Sequence, residues 1–203
     1  MGKVTFNMTI SLDGFVAGSN DGPDNGLGDG GDALFKWYFS GDTQISISEG
    51  TPVLMVSSQS AELLKEAMGT YGAGVWGRRT FDIARAWGGH PPGTPCFILT
   101  HKAPQEWIKE GSPFTFVTDG IESAIRQAKK GAGKKDVVLC TASILQQCLR
   151  AGLVDEIYLD LAPVLLGSGI RLFDHLGIKP IELESIRTIK APGVTHLGFR
   201  VIK

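Results

Sequence analysis

Three short constellations in this 203-residue chain place reactive side chains at spacings that suit chemistry. Gly77-Arg78-Arg79-Thr80 precedes a helix-like stretch opening with Phe81-Asp82. A glycine at such a junction lets the backbone approach a phosphate. The free N–H groups of the first helical turn point at the anion, and an arginine adds a charge-assisted bond. Thr80 suits either a cap or a phosphate donor, and the four residues equally suit a capped, solvated helix start. Leu99-Thr100-His101-Lys102 sets a hydroxyl, an imidazole and an ammonium at the expected carboxyl end of a strand, where open α/β sheets bind ligands; an exposed loop is the plain alternative. Asp13 carries the third chemistry, a carboxylate that can hold or move a proton, although Asp13-Gly14 is also a preferred hairpin turn.

Other patterns fail on their context. Gly26, Gly28 and Gly31 satisfy G-x-G-x-x-G, with Glu49 near the distance of a ribose-binding acid, but no strand leads directly into them and Pro23 intervenes. Asp24, Asp29 and Asp32 put negative charge where a pyrophosphate would sit. The same segment fails as a calcium loop, and Gly167-Ser168-Gly169 lacks the spacing of a nucleophile elbow. His90, His175 and His196 have no partners spaced as metal ligands, so no metal site is expected. Asn7-Met8-Thr9 matches a glycosylation sequon without further support.

Composition narrows the classes. Lys plus Arg number 20 against 21 Asp plus Glu, a net charge of −1, so there is no global field to gather nucleic acid or an anionic membrane. Lys129, Lys130, Lys134 and Lys135 read as a solvated helix end. Cys96, Cys140 and Cys148 form no paired framework, and the start of the chain lacks a long apolar run, so a reducing cytoplasm is the expected location. No run approaches the length of a membrane span.

Periodicity supplies the elements. Thr5 to Leu12 alternates as a strand, Asp13-Gly14 turns into Phe15-Val16-Ala17, and the Gly- and Asp-rich residues 18 to 32 read as a surface loop or a flap over a cleft. Helices are expected over Ala33 to Phe39, Gln59 to Met68, from Gly77-Arg78 onward, Ile121 to Lys130 and Ser143 to Arg150. Strands are expected over Ala73 to Trp76, Pro95 to Thr100, Phe114 to Val117, Val137 to Cys140 and Glu156 to Ala162. The strands Ile181 to Ile189 and Val194 to Ile202 then follow without an intervening helix. This order implies one α/β domain over residues 1–203, with a mostly parallel sheet, helices on both faces and a C-terminal antiparallel hairpin.

Taken together, Thr9-Ile10-Ser11-Leu12-Asp13-Gly14-Phe15-Val16-Ala17-Gly18, Gly77-Arg78-Arg79-Thr80-Phe81-Asp82, Ile98-Leu99-Thr100, Ala151-Gly152-Leu153-Val154-Asp155-Glu156 and Pro163-Val164-Leu165-Leu166-Gly167-Ser168-Gly169 resemble the dihydrofolate reductase-like superfamily. Within it they resemble the branch of the C-terminal reductase domain of the riboflavin-biosynthesis deaminase/reductase. The resemblance implies a three-layer dihydrofolate reductase-like fold, NADPH as hydride donor, a small-molecule substrate and a homodimer. It implies an NADPH-dependent reductase of a small polar heterocyclic or sugar-derived compound, similar to 5-amino-6-(5-phosphoribosylamino)uracil reductase. It maps cofactor contacts onto Val16, Ala17, Gly77, Arg78, Arg79, Thr80, Leu99, Thr100 and His101, and sets Asp13 beside the chemistry. One departure stands out. Where the family carries a Gly-Gly pair, this chain reads Cys140-Thr141-Ala142-Ser143, so the hydroxyls of Thr141 and Ser143 either replace amide contacts or crowd the cofactor. The rival expectation is therefore a non-catalytic ligand-binding or scaffold protein with its pocket closed at Cys140-Thr141.

Overall fold

The computed structural model describes residues 2–47, 53–177 and 179–203; Glu49 lies outside them. The strands are β1 (Val4–Ser11), β2 (Phe15–Ala17), β3 (Thr43–Ile45), β4 (Leu54–Val56), β5 (Tyr71–Gly77), β6 (Cys96–Leu99), β7 (Phe114–Val117), β8 (Asp136–Leu139), β9 (Glu156–Ala162), β10 (Ile170–Arg171), β11 (Leu183–Ala191) and β12 (Val194–Val201). The helices are α1 (Ser58–Thr70), α2 (Arg78–Ile83), α3 (Ile121–Ala132) and α4 (Ala142–Arg150).

Eight strands form one sheet in the order β11-β12-β9-β1-β8-β5-β6-β7. From β9 to β7 every neighbouring pair is parallel, and β12 and β11 add antiparallel to that edge. The expected mainly parallel sheet with a C-terminal hairpin is present. Its parallel strands need crossovers, and the helices that supply them cover the faces. On one face α3 and α4 close over Val4, Phe6, Val75, Phe97, Val137 and Leu139. The other face is covered in two separate patches. Trp37, Ala61 and Val56 pack beneath Ala191 and Val194 at one side, and Phe81 of α2 packs on Cys96, Ile98 and Phe114 at the other.

Local structure departs from the sequence expectations at one pairing and adds to them elsewhere. Phe15–Ala17 does not return along β1; β2 pairs antiparallel with β10, which is 153 residues or more away in sequence, as in Ile170↔Ala17. Gly14 supplies the required turn with φ +89°. The short helix expected over Ala33 to Phe39 is present as a 3-10 helix, Gly31–Phe39. The β3–β4 hairpin is an addition that periodicity did not reveal.

The glycine-rich segment 18–32 is a braced tongue, not an open flap. Gly18 N–H donates to Leu27 O at 2.9 Å and Asp29 N–H to Ser19 O at 2.7 Å. The Asn20 and Asn25 amides both donate to the Asp29 carboxylate, at 2.6 and 3.0 Å. Its glycines allow backbone contact: a Cβ on Gly18 would lie 2.0 Å from Asp29 O. The lysine cluster sits at and beyond the C-terminal end of α3, as its sequence implied.

Candidate active site

Three of the sequence constellations meet at the carboxyl ends of adjacent parallel strands. β5 runs into Gly77-Arg78-Arg79-Thr80, β6 into Thr100-His101, and β8 into Cys140-Thr141-Ala142-Ser143. Because β5 is paired with both β6 and β8, residues 20 to 66 positions apart in sequence share one edge. This is where a parallel sheet exposes the starts of its following helices.

Gly77 and Thr141 face each other there. A Cβ on Gly77 would lie 3.1 Å from both Thr141 Oγ1 and Ser143 Oγ, so the absent side chain keeps a niche open. Thr141 is 7% exposed, and its hydroxyl is buried with no hydrogen-bond partner among the described residues. It is the N-cap residue of α4 yet makes no capping bond, although such residues ordinarily satisfy a first-turn N–H. The buried hydroxyl and the uncapped helix start therefore present donors without acceptors. Thr141 has φ −147°, an ordinary extended conformation, so the position where the resemblance implies glycine carries no backbone strain. Ala142 is buried behind this edge. Burial pushes the Cys140 thiol well above its ordinary range, leaving it neutral and unsuited to nucleophilic attack.

The arginines are positioned differently. Arg78 Nε donates to Asp82 at 2.8 Å and Nη1 to Lys102 O at 2.7 Å, tying α2 to the segment after β6. Arg79 meets Asp21 of the tongue through Nε at 3.0 Å and Nη2 at 2.6 Å. Thr80 lies inside the first turn; the cap position belongs to Gly77, so the capping role expected of Thr80 is not found. Leu99 is half-buried, Thr100 accepts from Lys102 N–H at 3.3 Å, and His101 is exposed.

Asp13 lies at the end of β1, the strand next to β8. Its carboxylate accepts from Ser11 Oγ at 2.6 Å, Leu166 N at 3.1 Å and Gly167 N at 2.7 Å. The Ser11 bond, with the two backbone bonds, lowers its pKa to about 2. At neutral pH this group is an ionised acceptor joining two loops and has no proton to donate. Val16 and Ala17 follow on β2, Ala17 being buried.

Asn7 was not expected to matter. It is exposed in the middle of β1, with parallel strands on both sides, although such strands are ordinarily covered on both faces. Thr5 and Thr9 on the same face are buried, so the exposure is local to Asn7, between the separate patches around Trp37 and Phe81. Tyr158 is its register partner on β9, and Cys140 is next to it in the register that pairs Phe6 with Leu139. Asn7 is thus an exposed polar group on the central strands, one strand away from the segment that carries Thr141. Tyr71 Oη and Trp76 Nε1 on β5 are also buried without partners among the described residues. Alternation alone assigns Asn7 merely to the polar face of a strand; only the gap between the covering layers distinguishes it.

A buried chain of hydrogen bonds ties α1 to the antiparallel side. Ser57 Oγ donates to Ser60 Oγ at 3.0 Å, Ser60 Oγ lies 2.9 Å from His196 Nε2, and His196 Nδ1 lies 2.6 Å from Asp160 Oδ1. The order resembles a hydrolase triad, but Ser60 is 1% exposed, so no substrate reaches it.

The sequence profile of the RibD C-terminal domain matches residues 2–195. The chain belongs to the RibD C-terminal domain family. No curated protein is matched by sequence. Among solved structures, this RibD C-terminal domain is similar to a Shewanella sp. PV-4 protein described in terms of riboflavin biosynthesis, with TM-score 0.68, 19% identity and 99% of both chains covered. It is similar to the Thermotoga maritima diaminohydroxyphosphoribosylaminopyrimidine deaminase/5-amino-6-(5-phosphoribosylamino)uracil reductase at TM-score 0.59 and 11% identity, covering 99% of this chain and 57% of that one. Enterococcus faecalis dihydrofolate reductase, solved with NADP(H), gives TM-score 0.56 and 13% identity over 100% of this chain and 98% of that one. At these identities the likenesses establish the dihydrofolate reductase-like fold. No helix among the described residues is long and apolar enough to cross a membrane, and no group of His, Cys, Asp and Glu there is arranged to hold a metal ion.

The residues present fit a dinucleotide phosphate. The donors at Thr141 and the α4 start lack acceptors among the described residues, Gly77 leaves room beside them, and two arginines follow Gly77 in the first turn of α2.

Proposed function

We propose that residues 1–203 act as one NADPH-dependent reductase domain for a small polar heterocyclic or sugar-derived substrate. The reaction class is that of 5-amino-6-(5-phosphoribosylamino)uracil reductase, with the protein working as a cytoplasmic homodimer. The observation that carries this reading is the orphaned Thr141 hydroxyl at the uncapped start of α4, facing the niche kept open by Gly77.

In this reading Gly77, Arg78, Arg79, Thr80, Thr141, Ala142 and Ser143 hold the cofactor phosphates. Leu99, Thr100 and His101 border its adenosine half, and His101 is available to the 2′-phosphate. Cys140, Val16 and Ala17 line the path toward the reacting ring. When bound, NADPH supplies the hydride. The chain contributes placement: the Asn7 amide offers a donor and an acceptor to a polar substrate on the open sheet face. Asp13 holds the turn after β1 against residues 166–167.

Titration of NADPH and NADH against intrinsic fluorescence tests the reading, since Trp76 and Trp87 pack together beside β5. Quenching with a preference for NADPH is expected. Lack of binding by either at millimolar concentration would overturn the reductase reading and leave the non-catalytic binding role. Light scattering of the purified protein tests the dimer.

A further inference from the structure

Arg79 is the exposed partner of its ion pair, with a side chain 65% accessible, whereas Asp21 is 12% accessible. The carboxylate meets the guanidinium in a two-pronged arrangement, and Arg79 Nη2 also donates to Asp21 O at 3.0 Å. This is the geometry with which arginine binds the oxygens of a phosphate. Asp21 belongs to the tongue, whose bonds among residues 18–29 make it a braced unit. Its other ionic tie, Asp24 to Arg85, is exposed on both sides, with side-chain accessibilities of 92% and 68%. Of these two ionic ties, the one to Arg79 is the less exposed.

Arg79 also stands in the first turn after Gly77, on the edge where the Thr141 hydroxyl is buried without a partner. The two features have opposite status: the neutral donor lacks an acceptor among the described residues, while the cation two residues after Gly77 already has an anion from its own chain. We propose that Asp21 is an internal latch, an autoinhibitory carboxylate on the Arg79 guanidinium that a phosphoryl ligand displaces, freeing the tip of the tongue as it binds. The proposal rests on the cofactor reading of this edge and adds a regulatory element to it. Ligand affinity is set by exchange of one anion for another, and tongue release reports occupancy.

The test compares wild type with Asp21→Asn, which keeps shape and removes charge, and with Asp24→Asn as the control at the exposed pair. Inorganic pyrophosphate and NADPH are titrated by calorimetry, and amide exchange of residues 19–29 is followed with and without each. Asp21→Asn should bind both ligands about 2- to 5-fold tighter, the range of an exposed ion pair removed from competition, and Asp24→Asn should change affinity less. In wild type, either ligand should speed exchange in the tongue, and Asp21→Asn should exchange fast without ligand. Equal NADPH affinity in wild type and Asp21→Asn, with tongue exchange indifferent to ligand, overturns the latch while the reductase reading stands. Tighter pyrophosphate binding by Asp21→Asn without NADPH binding supports the latch and overturns the reductase reading. No binding of either ligand by either protein overturns both.

Discussion

The amide of Gly167 donates to Asp13 Oδ2 at 2.7 Å, joining the turn after β1 to a loop 154 residues later. With Leu166 N–H and Ser11 Oγ on the same carboxylate, Asp13 binds two loops that both flank the open sheet face.

The first prediction follows from its lowered pKa. The folded value of about 2 lies below the ordinary 3.8, so the charge-dependent contribution is present above about pH 4 and lost as pH falls toward 2. Amide exchange at Leu166 and Gly167 should stay slow at pH 5 and rise between pH 4 and 2. Asp13→Asn should exchange fast at every pH. Unchanged protection in Asp13→Asn would show that the loops hold together without the charge.

Thr141 should trade stability for binding. Replacing it with Val keeps the shape and removes a buried hydroxyl that has no partner, which should stabilise the ligand-free protein by about 1 kcal/mol. The same change should weaken NADPH binding about 5- to 10-fold, the loss of one hydrogen bond to a charged oxygen. Thermal melts and fluorescence titrations measure the two effects. Lower stability together with undiminished affinity would mean that the hydroxyl serves the fold.

Gly77→Ala tests the niche by filling it. Gly77 has φ −82°, which alanine adopts readily, so no backbone strain is added. The new Cβ would stand 3.1 Å from Thr141 Oγ1 and Ser143 Oγ, where the phosphate is expected. NADPH affinity should fall about tenfold, or about 1.4 kcal/mol, with the circular dichroism spectrum unchanged. Equal affinity would move the phosphate elsewhere.

Asn7→Val should separate substrate from cofactor. Valine suits an exposed strand position, so the melting temperature should hold or rise slightly. NADPH quenching should be unaffected, while KM for the reducible substrate rises about tenfold. A fall in kcat with constant KM would place Asn7 in the chemical step instead.

His196 should matter to stability alone. His196→Ala leaves Asp160, 6% exposed, without the imidazole 2.6 Å away, and breaking one side of a buried pair costs about 3 kcal/mol. For a chain of this size the melting temperature should drop by about 9 °C. A shift under about 2 °C would show that water replaces the imidazole.

The order of strands and helices was legible because hydrophobic alternation and helical spacing are local properties: Phe6 and Ile10 point to one core, and Ile121, Ala124, Ile125 and Ala128 lie on one helix face. The junction at Gly77 was legible from its residue types, whereas Cys140-Thr141 drew attention only through the family resemblance. Tertiary structure alone decided what those residues meet. Arg79 finds Asp21 at a separation of 58 residues, Ser60 finds His196 at 136, and Asp13 finds Gly167 at 154. Periodicity carries no information over such separations, because these contacts depend on which strands become neighbours. The exposure of Asn7 depends further still on two covering layers failing to meet. The sequence by itself determined which groups this protein has for binding a phosphate; the packing of the sheet decided which remain unpartnered and which its own chain already holds.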